Sequence, residues 1–262
     1  MFYWIYNYPT WEMGVLFALS FLAVGLVGLF LFRSLFSKWI HTERRANELV
    51  GVALSSFSVL YGILLGLVAV GAYQDFSNIS DLVTKEASSL AGLYRDASQF
   101  PEPTRTVLQR DLKTYTRYTI DKAWPLQRRG IVPTGGSVLM GKLFDDLAAF
   151  SPTDRRSEVI FAEAFSRLNN YTELRRARLA QVTTGLPGVL WWVVGIGAFL
   201  NIVMVWMLDM EIHVHVILAA VLSLFLGVVV FLVAAMDYPF RGAVSVGPDA
   251  IELVYQSLMT RK

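Results

Sequence analysis

Cysteine is absent from this sequence of 262 residues. Disulfide bonds, thiolate nucleophiles and cysteine-based metal sites are therefore excluded. Charged residues are also scarce, at 17% of the chain against 55% hydrophobic residues, which is more apolar than a soluble domain of this length. The formal net charge of +2 is too small to indicate a polyanionic partner such as nucleic acid. This composition predicts a protein that lies partly in a lipid bilayer.

Four long segments contain no Asp, Glu, Lys or Arg, and each is long enough to cross about 30 Å of hydrocarbon as a helix. They run from Met13 to Phe32, Leu49 to Gln74, Leu186 to Leu208 and Val216 to Met236. Each must be helical, because a lone strand would leave its backbone polar groups unpaired in lipid. The lack of charged residues inside them disfavours proton-coupled transport. No Lys or Arg precedes the first segment, so we interpret it as a retained helix and not as a signal peptide.

The sequence therefore predicts an all-α, polytopic membrane protein with a helical domain inserted between its second and third spans. We divide it into residues 1–74 (spans one and two), 75–184 (the helical extramembrane domain), 185–236 (spans three and four) and 237–262 (a tail packing on the helical domain). Apolar residues at helical spacing fill the insert, and Glu86 is the one polar interruption on the apolar face of its first helix.

Helix boundaries in the insert follow from its prolines, glycines and capping residues. Asn78 or Ser80 could cap the first helix if the second span does not simply run on, and Pro101 and Pro103 follow its end. The remaining predictions are a helix from Thr104 to Ala123, a loop from Pro125 to Gly136 and a short helix around Leu143. A last helix is predicted to start with Ser151 as N-cap, Pro152 at the first helical position and Asp154 in the first turn, and to run through Arg178.

The charge near the membrane gives only a narrow preference for one orientation. Six basic residues lie on the side of the insert, namely Lys85, Arg167, Arg175, Arg176, Arg178 and Arg241. Four lie in the loop after span one, namely Arg33, Lys38, Arg44 and Arg45. The positive-inside rule thus favours a cytoplasmic helical domain in a multi-pass protein of the inner membrane.

Motifs for enzymatic chemistry are scarce. Gly195-Ile196-Gly197 lies inside an apolar helix with no strand before it, which favours close helix packing over nucleotide binding. His213 and His215 are two residues apart, so they do not share a helical face, and a metal site is not favoured. We expect no cofactor, no bound metal and no enzymatic activity.

The second span carries the residues of most functional interest. Gly62 and Gly66 are four apart, a spacing that allows a neighbouring helix to approach closely. Val59, Ile63 and Leu67 form a parallel line on the same helix. Facing lipid or another helix, this line would be ordinary, whereas around the axis of an oligomer it would form an apolar constriction that gates by dewetting.

Two stretches resemble the bestrophins. Residues 65–97, LGLVAVGAYQDFSNISDLVTKEASSLAGLYRDA, are similar to the bestrophin second helix, and residues 237–258, DYPFRGAVSVGPDAIELVYQSL, to the segment that closes the bestrophin helical domain. The chain more closely resembles the bacterial and plant bestrophin-like proteins. The residues that fit that pattern are Glu86-Ala87-Ser88, Trp124-Pro125, Arg175-Arg176 with Arg178, Leu186-Pro187 with Trp191, and Pro239-Phe240.

This resemblance, over roughly residues 48–258, implies a homopentameric anion channel, conducting chloride, whose neck is lined by three apolar residues of the second helix. Aligned on Leu65-Gly66-Leu67, the neck positions correspond to Val59, Ile63 and Leu67. All three are aliphatic where the family often has Phe, which puts the anion selectivity in question. Asp75 replaces the family's basic residue after the second span, and no acidic run resembles the calcium clasp of animal bestrophins, so calcium activation is not expected.

Two hypotheses follow. In the first, the protein is an oligomeric channel in which second helices surround the pore and the insert forms a vestibule. In the second, it is a non-conducting membrane scaffold or sensor, packed through Gly62 and Gly66, whose helical domain binds a partner at exposed positions such as Arg128 and Arg129. Substitutions along the Val59 line distinguish them, because only a channel requires those side chains for function.

Overall fold

The computed structural model describes residue 6 and residues 8–40, 45–242 and 244–260. Arg44, one of the four basic residues after span one, lies outside the described residues. The helices are α1 (Thr10–Ile40), α2 (Ala46–Ala97), α3 (Thr104–Tyr118), α4 (Trp124–Arg128), α5 (Gly135–Ala148), α6 (Arg155–Ala180), α7 (Gly188–Trp206), α8 (Ile212–Met236) and α9 (Asp249–Val254). Four of them, α1, α2, α7 and α8, are long and apolar enough to span a membrane. The predicted all-α fold with four membrane spans is confirmed.

Helix α2 is 52 residues long and therefore extends for about 78 Å. This is more than twice the thickness of a bilayer's hydrocarbon core, so a large part of α2 must lie outside it. The second span runs directly into the first amphipathic helix, and neither Asn78 nor Ser80 starts a new helix. The helix ends at Ala97, shortly before Pro101.

The chain forms two compact units, and residues up to Gln74 belong to the first. This membrane unit also contains Leu186–Asp237 and Gly242–Val244. Within it, α1 packs closely against α8 and α7 through glycines, which let helices approach where lipid removes most of the hydrophobic driving force. A Cβ added at Gly25 would lie 2.0 Å from Ser223 Oγ, and one added at Gly28 would lie 1.9 Å from the Trp206 ring.

The second unit contains Asp75–Gly185, Tyr238–Arg241 and Ser245–Lys262. Its core is built from the apolar faces of the part of α2 beyond Gln74 and of α3, α5, α6 and α9. Leu90, Leu168 and Ile251 are completely buried in it. Burying side chains of this size contributes about 1.5–3 kcal/mol each, which compensates for helices that are individually too short to be stable.

Two boundaries in this unit differ from prediction. The loop predicted from Pro125 begins only after Arg128, because α3 continues through a π-helical turn (Thr119–Ala123) into α4. In that turn the Trp124 N–H bonds to the Thr119 carbonyl, five residues back. Pro125 then lies in the first turn of α4, where an N–H is not needed.

The start of α6 was also predicted wrongly. The N-cap is Asp154, and the helix begins at Arg155, so neither Ser151 nor Pro152 caps it. The Ser157 N–H donates to Asp154 Oδ1 at 2.7 Å, and the Asp154 N–H donates to Ser157 Oγ at 3.1 Å. These bonds from Ser157 to the carboxylate hold the pKa of Asp154 below its ordinary value. The reciprocal capping box explains why Asp154 is preferred over Ser151.

Candidate pore-lining helix and buried polar groups

The three predicted neck residues lie along one exposed line of α2. In the single chain, Val59 is 62% exposed, Ile63 is 58% exposed and Leu67 is 69% exposed. Because an α-helix has 3.6 residues per turn, residues four apart stack one above the other. None of the three belongs to the packed core of the membrane unit. We refer to Val59, Ile63 and Leu67 as the α2 stripe.

The opposite face of α2 packs inside the membrane unit. Tyr61, Leu65 and Val68 are each at most 9% exposed, and they form one cluster with residues of α7 and α8. At about 100° per residue, the α2 stripe lies roughly 130–170° around the helix from this buried face. The stripe therefore points away from the helices of its own chain.

Two hydrogen bonds fix the rotation of α2 about its axis. The Tyr61 hydroxyl donates to the Val194 carbonyl of α7 at 2.9 Å, and Ser58 Oγ donates to Asn201 Oδ1 at 2.8 Å. Gly197 of α7 makes room for the Tyr61 ring, since a Cβ there would lie 2.2 Å from it. This close approach confirms the helix-packing interpretation of Gly197.

Gly62 and Gly66 face open space in the single chain. A Cβ added at either position would meet no atom within 4 Å. Both border a groove of about 440 Å³ between α2 and the other helices of the membrane unit. No helix in the described part of the chain uses these glycines for close approach, so their packing role stays a prediction.

The two histidines near the start of α8 point in different directions. His213 is exposed, whereas His215 is completely buried with its Nε2 2.8 Å from the Val205 carbonyl oxygen. Among the residues that the structure describes, no three His, Asp or Glu side chains come together as a metal site. This arrangement gives His215 a role in connecting α8 to α7.

A buried ion pair lies inside the helical unit. The Arg178 guanidinium on α6 donates through Nε and Nη2 to the two carboxylate oxygens of Glu86 on α2, and both side chains are at most 1% exposed. Its Nη1 donates to Gln127 Oε1, and its Cζ lies 4.7 Å from the centre of the Trp124 ring. Burial by itself would lower the pKa of Arg178, but the Glu86 carboxylate outweighs it and the pKa is raised.

The sequence singles out three of these residues but does not show that their side chains contact one another. Glu86 was the polar interruption of an apolar face, and Trp124 and Arg178 belonged to the pattern shared with bestrophin-like proteins. The separation of 92 positions between Glu86 and Arg178 conceals their pairing in a single sequence. A lone carboxylate on an apolar helical face is nevertheless a usable signal, because a buried charge requires a partner.

In the membrane unit, Asp237 contacts Leu186 and Trp191, two residues that also fit the bestrophin-like pattern. Its carboxylate accepts a hydrogen bond from the Leu186 backbone N–H and one from Trp191 Nε1, the latter at 3.1 Å. The carboxylate therefore connects the end of α8 to the segment that leads into α7. This contact gives Leu186, Trp191 and Asp237 a shared structural role.

The fold is shared with solved bestrophins of bacteria. The structure of a bestrophin homologue from Klebsiella pneumoniae superposes with a TM-score of 0.64, covering 90% of this chain and 99% of the homologue at 12% identity. A single-substitution variant of it gives a TM-score of 0.65, with 91% and 100% covered, also at 12% identity. No curated protein matches the sequence.

The sequence itself matches the bestrophin-like domain over residues 19–251. The match includes all of α2 and both patterns described above, that of Glu86 with Arg178 and that of Asp237 with Trp191. Since it extends over most of the chain, the protein belongs to the bestrophin-like family.

Proposed function

We propose that this protein is an oligomeric ion channel that conducts anions such as chloride, with the α2 stripe lining its narrowest part. Membership in the bestrophin-like family supports a channel in general and favours it over an enzyme. The observation that carries the finer proposal is the outward orientation of the α2 stripe, with Tyr61 holding the opposite face of the helix against α7.

A ring of such stripes explains how the pore could close without a polar gate. Each chain contributes three aliphatic layers, and rings of aliphatic side chains around a narrow axis expel water. A dry constriction is a barrier to any ion, because an ion loses its hydration there. In the proposed pentamer, with the helical unit in the cytoplasm, small movements of α2 change the width of this constriction and thereby gate the channel.

The test is ion flux through the purified protein in lipid vesicles. We expect the triple variant Val59→Ala, Ile63→Ala and Leu67→Ala to raise flux by about tenfold, because shorter side chains widen and wet the constriction. Reversal potentials in a chloride gradient would report selectivity, and particle images would give the rotational symmetry.

A matched control uses α8, whose residues Val214, Ile217 and Val221 are about as exposed in the single chain as the stripe, at 55%, 65% and 60%. Their change to Ala should leave flux unchanged, since lipid or a neighbouring helix contacts them. A protein that is monomeric and passes no ions, either as wild type or as the stripe variant, would refute the channel proposal and favour the scaffold hypothesis.

A further inference from the structure

The N-terminus of α5 is lined by hydrogen-bond donors and lies beside a buried cation. Helix α5 starts with Gly135-Gly136-Ser137, and its N-cap residue, Thr134, provides no side-chain cap. The Ser137 N–H bonds back to the Thr134 carbonyl, and among the described residues no hydrogen bond uses the two glycine N–H groups. Unpaired N–H groups and the helix dipole make such an end attractive to anions.

Arg175 of α6 supplies the independent observation. Its side chain is only 6% exposed, and within the described residues its one hydrogen bond runs from Nη2 to the neutral Ser137 Oγ at 3.3 Å. No carboxylate of the described residues pairs with it. The positions three and four residues from it on α6 are Tyr171, Thr172, Arg178 and Leu179, none of which is acidic.

The charge of Arg175 is thus uncompensated in the place least suited to a cation. A guanidinium loses hydration on burial, and the positive end of a helix dipole repels it further. Its neighbour on the same helix, Arg178, shows the usual solution, which is a carboxylate partner. An anion bound beside Arg175 at the first turn of α5 would compensate both the guanidinium and the helix end.

The paired glycines create the space for this arrangement. A Cβ at Gly136 would lie 3.0 Å from Arg175 Nη2, and a Cβ at Gly135 would lie 2.6 Å from the Tyr118 hydroxyl. Tyr118 Oη has no hydrogen-bond partner within the described residues. The guanidinium and the hydroxyl therefore both lie against the first turn of α5, while Gly135 and Ser137 are exposed and leave access from water.

We propose that Arg175, Tyr118 and the first turn of α5 bind a phosphate-type oxyanion, either free phosphate or the phosphoryl group of a nucleotide. A planar guanidinium matches the oxygens of phosphate in a bidentate manner, which a single halide ion cannot provide. The bound anion connects α5 to α6 inside the helical unit. This site is separate from the α2 stripe and does not depend on the channel proposal.

The test compares thermal unfolding of the full-length protein in detergent with sodium phosphate or with sodium chloride at equal ionic strength. We expect saturating phosphate to raise the Tm of the wild type by about 3 °C or more beyond chloride, because a ligand of the folded state stabilises it. Adenosine diphosphate forms a second arm, and a half-effect at a lower concentration than that of phosphate would identify a nucleotide as the source.

Arg175→Gln should lose this phosphate-specific increment, whereas Arg176→Gln, at the exposed neighbouring position, should keep it. If Arg175→Gln does not fold, Tyr118→Phe serves instead, since it removes only a hydroxyl and should weaken the half-effect concentration by several fold. Equal increments in all variants, or equal responses to phosphate and chloride, would overturn the proposal. So would an Arg175→Gln protein that is less stable throughout but keeps the full phosphate increment.

Discussion

At the level of single residues, burying the ion pair of Glu86 with Arg178 costs hydration free energy. Two charges lose their hydration in the core of the helical unit, and only their bidentate geometry and the Gln127 side chain recover that cost. Such a pair contributes little net stability compared with apolar residues of the same size. Each charge is nevertheless strongly destabilising when it remains alone.

We therefore predict that Arg178→Gln lowers the free energy of unfolding by about 3–5 kcal/mol, because Glu86 remains buried without its cation. Arg176→Gln is the matched control and should stay within about 0.5 kcal/mol of the wild type, since that side chain is exposed. Unfolding in denaturant, followed by tryptophan fluorescence, measures both.

A double variant, Glu86→Met with Arg178→Met, separates charge burial from packing. It should be less destabilised than Arg178→Gln, because no unpaired charge remains. If Arg178→Gln were as stable as the control Arg176→Gln, the buried carboxylate of Glu86 would not depend on Arg178, and the prediction would be contradicted.

At the level of elements, α2 is distinguished by one face that packs within the chain and another that is exposed in the single chain. One face is held by Tyr61 and Ser58 against α7, and the other carries the α2 stripe. Apolar spacing in the sequence predicted the helix and the stripe. It could not predict which face packs inside the chain, because both faces of the membrane-spanning part of α2 are apolar and no charged side orients it.

The absence of cysteine makes a labelling test of α2 direct. Single cysteines at Ile63 and Leu67 should react with a water-soluble, membrane-impermeant thiol reagent, because a pore-lining stripe is reached by water. Cysteines at Ile217 and Val221 of α8, equally exposed in the single chain, should react at least tenfold more slowly in lipid vesicles. Equal, slow labelling at all four positions would indicate that the stripe faces lipid or protein.

At the level of the whole molecule, the glycines of the membrane unit fall into two groups. Some pack against another helix of the chain, and others meet no atom of the described residues within 4 Å. Gly28 contacts Trp206 inside the membrane unit, whereas Gly66 meets nothing within 4 Å. The amino-acid sequence alone does not distinguish these two groups of glycines. Only the packed structure shows that one group serves folding and that the other remains unpartnered.

We predict that Gly66→Leu abolishes assembly while the single chain still folds, because a Cβ at this position would meet no atom of the described residues within 4 Å. Gly28→Leu should instead lose folded protein, since its Cβ would lie 1.9 Å from the Trp206 ring. Light scattering in detergent measures the mass of the assembly, and circular dichroism measures the helix content. An unchanged oligomer for Gly66→Leu would show that this face is not an interface.

The sequence by itself determined the four spans, the all-α fold and the line of Val59, Ile63 and Leu67, because the cost of unpaired polar groups in lipid leaves few alternatives. It did not determine that Asp154 caps α6, where Ser151, Pro152 and Asp154 all favour a helix start and local geometry selects one. The tertiary structure alone decided that Glu86 meets Arg178, that Arg175 meets Ser137 of α5, and that the α2 stripe points outward. These outcomes depend on contacts between distant segments, and a partner 92 residues away leaves no local periodicity in the sequence.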